Sequence, residues 1–110
     1  MNVYDTANRL AQEIRSSEEY KRYKEAKEKI NSNNNLKKKI DDFEKLRYDI
    51  QVLAIQGKES DEEKNKKLQE MYTILLQEKE IKEYFDLEVK FNFMLADVNK
   101  IIAESVQDVL

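Results

Sequence analysis

One glycine and no proline occur in the 110 residues, against average usage of roughly 7% and 5%. Tight turns and hairpins draw on both, glycine for positive φ and proline for its fixed φ, so this alphabet disfavours an all-β fold. Lys, Glu, Gln, Leu and Ala, all strong helix formers, take their place. The chain reads as all-α. Its one glycine, Gly57, then becomes a landmark, the residue able to end a helix with positive φ at no strain.

The apolar spacing resolves about five helices in a single domain covering residues 1–110. Val3, Ala7, Leu10, Ala11 and Ile14 share one face of a short first helix. Ser16 with Glu19 has the spacing of a capping box, so a second helix begins there, or the first continues with a kink. Its face is thin: Tyr20, Tyr23, Ala26 and Ile30. The run "NSNNN" at 31–35 interrupts the pattern, because asparagine both ends helices and caps the next one. A third helix follows from about Leu36 to Gln56, stopped by Gly57. Ser60 with Glu63 forms a second capping box, and Leu68, Met71, Tyr72 and Leu75 make the stripe of a fourth helix. Ile81 lies about 140° out of phase with Leu68 at 100° per residue, which predicts a break near Glu78–Glu80.

From Ile81 to the C-terminus the chain is at its most apolar. Ile81, Tyr84, Phe85, Phe91, Leu95, Val98 and Ile102 form a face wider than a two-stranded coiled-coil seam. A helix of about 28 residues is roughly 42 Å long, whereas the third helix, at about 21 residues, reaches roughly 30 Å. A compact body of this length is only about 35 Å across. The expectation is therefore of long antiparallel helical hairpins that assemble as a helical homodimer, a second copy covering part of the last helix. Two charges interrupt the apolar stripes, Arg47 between Phe43 and Ile50, and Glu88 between Tyr84 and Phe91. A buried charge needs a partner. Either the two pair with each other, within or between chains, or each snorkels to the edge of the core. Val89 and Phe93 lie off the main stripe, where they form a second contact surface or pack on the fourth helix.

The chain carries no histidine and no cysteine, so the commonest general base, nucleophile and metal ligands are missing. A lone glycine cannot build a phosphate cradle. The carboxylates of "IDDFEK" and "SDEEK" sit where helix faces and first turns already favour acids. No enzyme activity, cofactor or metal is expected. Twenty basic against 23 acidic residues give a net charge of −3, unlike a generic duplex-binding domain. Local basic clusters do occur, at Lys21, Arg22 and Lys24 beside two tyrosines, at Lys37, Lys38 and Lys39, and in "KNKK" at 64–67. They are the contacts of the runner-up reading, an RNA-binding module. No apolar run approaches the ~20 residues of a membrane span, and the N-terminus lacks a signal pattern, so a soluble cytoplasmic protein is expected.

The stretches "NVYDTANRLAQEIRSSEEYKRYKEAKEKI" and "EYFDLEVKFNFMLADVNKII" resemble the small bacterial YlbF/YmcA family, most closely its YheA-like branch. The likeness spans essentially the whole chain and rests on packing and capping residues, with Glu88 on the glutamate of the family's "YF..E" motif. It implies a self-associating fold of long antiparallel helices with a regulatory, non-catalytic role. It also implies partners in the mRNA-processing machinery around a membrane-anchored endoribonuclease, and through them an influence on competence, sporulation and biofilm formation. Complexes of that family are associated with a cysteine-held iron–sulfur cluster, which this cysteine-free chain cannot hold by the same ligands. The leading reading is a homodimeric helical adaptor acting through protein contacts. A purely structural or chaperone-like scaffold is the third alternative.

Overall fold

The computed structural model describes residues 2–58 and 62–110. Among them five helices follow one another with no strand: α1 (Val3–Ser16), α2 (Glu18–Asn31), α3 (Asn34–Ile55), α4 (Glu62–Leu75) and α5 (Lys79–Ser105). The all-helical expectation holds, and α5, with 27 residues, has the length read from its stripe.

Local chemistry accounts for the ends. Asn2 caps α1, its side-chain oxygen accepting from the Asp5 N–H at 2.9 Å. Between α1 and α2 only Ser17 leaves the helical conformation, at φ −71° and ψ 151°. It serves both helices: its N–H donates to the Ile14 carbonyl at 3.1 Å, and its Oγ accepts from the Tyr20 N–H at 3.2 Å. The cap is thus one residue beyond the expected Ser16, because Ser16 is still inside α1. Asn33 caps α3 by accepting from the N–H groups of Asn35 and Leu36 at 3.1 and 3.2 Å, which starts that helix two residues ahead of its first apolar position. Gly57 does adopt positive φ, 72°. Its N–H donates to Ala54 and that of Lys58 to Leu53, both at 3.1 Å, a Schellman closure. The capping box expected at Ser60 and Glu63 lies outside the described residues. α4 and α5 are separated at residues 76–78, about two residues ahead of the break expected near Glu78–Glu80, since Lys79 and Glu80 already belong to α5.

The chain's contacts fall into two units, Met1–Lys27 with Tyr84–Leu110, and Glu28–Glu83. In the second unit α3 packs on α4, and the rings of Phe43 and Tyr72 lie 5.8 Å apart. Ile30, Leu36, Ile40, Phe43, Leu75 and Ile81 are its buried side chains, each worth about 1.5–3 kcal/mol of apolar burial before ordering costs. Lys39 ties the α4–α5 connection to α3 through Glu78, Nζ to Oε1 at 2.9 Å. In the first unit α2 and α5 meet through aromatic rings. Tyr23 lies 5.6 Å from Tyr84 and 5.4 Å from Phe91, while Tyr20 lies 6.1 Å from Phe91. Going back along α2 means going forward along α5, so the two run antiparallel. α1 belongs to the same unit and has no buried residue; Leu10 and Ile14 are half-covered, Val3 and Ala7 exposed.

Candidate interaction surface

Cover thins along α5 from its start to its end. Ile81, Tyr84, Phe85 and Leu87 are buried, and Ile81 is wholly inaccessible. Phe91, Met94, Leu95 and Val98 are half-buried, and Ile101 and Ile102 are exposed. Of the face assigned jointly to core and dimer, Ile81, Tyr84 and Phe85 are thus covered by the chain itself. Only its later part, ending at Ile102, remains accessible.

Glu88 sits inside the aromatic cluster, half-buried, and its Oε2 accepts from the Tyr23 hydroxyl at 3.1 Å. A charged acceptor makes this a stronger bond than a neutral pair. Nothing local in the sequence signals it, since 65 residues separate the two side chains; what they share is a place on the inward stripe of each helix. Of the two alternatives for Arg47, a buried pair or a side chain that snorkels, the structure shows the second. It is exposed, with its guanidinium 5.7 Å from the centroid of the Phe43 ring, as an arginine does when its stem covers apolar surface and its head stays wet.

Val89 and Phe93 are exposed, at 51% and 68%. They stand four residues apart, one turn, on a side of α5 that the apolar stripe does not occupy.

The basic clusters fare differently. Lys21, Arg22 and Lys24 are exposed, with Arg22 Nε 3.7 Å from Glu18 of the preceding turn. Their neighbours Tyr20 and Tyr23 face α5 rather than offering free rings to nucleobases. Lys37 and Lys38 are exposed, but Lys39 is half-buried in its ion pair with Glu78. α4 also carries an open groove lined by Lys66, Gln69, Glu70, Thr73 and Ile74. No buried polar or charged residue occurs among the described residues to orient a ligand there. Nor do three or more acidic side chains among them gather as metal ligands. With no cysteine at all, the donor set does not fit a thiolate-held cluster. No helix of the described residues is long and apolar enough to cross a membrane.

Comparison with known proteins agrees with this architecture. The profile of the family described as control of competence regulator ComK, YlbF/YmcA, matches residues 3–107. A UPF0342 protein of Caldicellulosiruptor bescii is 38% identical over 106 residues, covering 96% of this chain and 89% of that one. A UPF0342 protein of Staphylococcus epidermidis is 33% identical over 109 residues, covering 99% and 96%. Two solved structures share the fold. A protein of unknown function (DUF964) from Bacillus stearothermophilus has a TM-score of 0.87 at 17% identity, over 97% of this chain and 94% of that one. The yheA protein from Bacillus subtilis has a TM-score of 0.70 at 22% identity, over the full length of both.

Proposed function

The chain belongs to the YlbF/YmcA family, and from that premise we propose that it is a non-catalytic regulatory adaptor that acts as a homodimer through protein–protein contacts. The process it serves in this reading is RNA processing, with developmental control downstream. The observation that carries the proposal is the pair Val89 and Phe93, apolar side chains held open to solvent on a long helix. The family's description as a control of a competence regulator supports a regulatory role. The absence of histidine and cysteine from the sequence supports contact rather than chemistry as its means.

The test is affinity purification of the tagged full-length protein from its native host, with and without ribonuclease treatment, beside a Phe93→Glu variant. The expected result is that an RNA-processing enzyme or its accessory proteins co-purify regardless of ribonuclease, and are lost with Phe93→Glu. Capture that disappears with ribonuclease treatment, and with charge reversal at Lys37 and Lys38 but not at Phe93, would overturn the adaptor reading in favour of direct RNA binding.

A further inference from the structure

A single residue separates α1 from α2. Ser17 is extended, at φ −71° and ψ 151°, between two helices of 14 residues each. No proline or glycine forces the break, as one does at many sharp helix kinks. A few local contacts hold it instead. The Ser17 hydroxyl donates to the Ile14 carbonyl at 2.6 Å and accepts from the Tyr20 N–H at 3.2 Å. The Arg15 guanidinium lies 5.6 Å from the centre of the Tyr20 ring. That contact depends on the bend, because residues five apart on a continuous helix stand about 140° round from each other.

The local energetics pull both ways. Arg15 lies in the last turn of α1, and Glu18 and Glu19 in the first turn of α2, each at the helix end that favours its charge. These placements support two helices. The break, however, leaves backbone groups idle. In a continuous helix the N–H groups of residues 17–20 reach the carbonyls of residues 13–16. Here the Ser17 N–H takes the nearer Ile14 carbonyl, and those of Glu18 and Glu19 have no backbone acceptor. Joining the helices recovers these bonds and gives up the cap, the charge placement and the ring contact. The two forms thus differ by a few weak interactions of opposite sign. Nothing in α1 anchors it deeply, since none of its residues is buried.

The apolar pattern says what the change would do. Ile14 and Tyr23 are nine residues apart, which puts them about 180° round from each other on a continuous helix; Ala7 and Tyr23 stand about 160° apart. Tyr23 faces α5, with its ring 5.4 Å from that of Phe91. On a continuous helix the stripe of α1 therefore looks away from α5. In the bent form Leu10 and Ile14 of that stripe are half-covered.

We infer that Ser17 is a single-residue hinge, on which α1 swings from the bent form into one continuous helix with α2 and thereby displays its apolar stripe. The joined helix, from Val3 to Asn31, is about 43 Å long. Tyr20 couples the hinge to α5, for its ring meets Arg15 on one hand and Phe91, at 6.1 Å, on the other. Displacing Arg15 loosens the bend. The hinge rests on contacts between α1, α2 and α5 alone, and neither the adaptor reading nor self-association enters it.

The cysteine-free chain takes two specific labels. Asn8→Cys and Lys27→Cys, both at exposed positions, are combined in the full chain and spin-labelled. The labelled protein is diluted into excess unlabelled chain, so that pulsed dipolar spectroscopy reads distances within one molecule. On a continuous helix the two backbone positions stand about 28 Å apart; in the bent form they are nearer. The parent should show mainly the shorter distance. Ser17→Ala, which removes the cap, should raise the long-distance fraction about fivefold, and adding Arg15→Ala should raise it further. Ser17→Thr, which keeps a capping hydroxyl, should leave the parent distribution in place. A distribution unchanged by Ser17→Ala with Arg15→Ala overturns the hinge. So does a broad spread in place of the straight-helix distance, which marks α1 detaching rather than joining α2. Helix content by circular dichroism should hold or rise as the long distance appears, and a fall with it overturns the hinge as well.

Discussion

The two halves of α5 are written in the same apolar spacing and meet opposite fates. In the first, Ile81 is wholly inaccessible and Tyr84, Phe85 and Leu87 are buried. In the second, the stripe fades through half-buried Leu95 and Val98 to exposed Ile102. Periodicity marks which side of a helix is apolar, whereas cover depends on what other surface reaches it. The aromatic contacts of α2 extend along α5 as far as Phe91, and α1, with its thin stripe, buries no residue of its own.

The sharpest way to break this comparison is to truncate the same side chain in each half. Ile81→Ala should cost about 2–5 kcal/mol in urea unfolding, because it opens a cavity in a closed site. Ile102→Ala should cost far less at low protein concentration and more as concentration rises, the signature of a contact made between copies. Equal costs at the two positions would erase the difference. Next in size is the helix stop: Gly57→Ala should lose about 1–2 kcal/mol through left-handed strain alone, since an added Cβ meets nothing within 4 Å. Thermal melting checks it, and an unchanged midpoint would mean the turn relaxes. Tyr23→Phe removes the hydrogen bond to Glu88 and should cost about 1 kcal/mol by denaturant titration, a test of whether the covered half needs its polar anchor.

Smaller still is the pair Lys39 and Glu78, each about 40% exposed. A double-mutant cycle with Lys39→Met and Glu78→Gln should give a coupling of roughly 0.2–1 kcal/mol that shrinks in high salt. The smallest effect is expected at the outer face. Phe93→Ser should change stability by about 0.5 kcal/mol or less while abolishing partner capture, separating a binding residue from a folding one.

Much of the fold could be read directly from the residues. A chain nearly without glycine and proline had to be helical. Asn33 and Gly57 mark the two ends of α3, and the phase change before Ile81 marks the separation of α4 from α5. The place of Val89 and Phe93 off the stripe left two readings open, a contact surface or packing on the fourth helix, and the structure leaves both exposed. Other features only the structure decides, two of them local and one between side chains 65 residues apart. Ser17 rather than Ser16 is the cap because the chain turns one residue later than the capping spacing alone implies. Glu88 binds Tyr23, a match that two inward-facing positions permit but no local motif demands. Arg47, in phase with an apolar stripe, reaches water by lying across Phe43.

The sequence by itself determined helix content, most boundaries and the apolar side of each helix, because propensity, capping and 3.6-residue periodicity act within a few residues. Tertiary structure alone decided how much of each stripe is covered, which polar groups meet and which apolar residues stay open. Those outcomes are set by the reach of one helix along another, a quantity that exists only once the helices are in place.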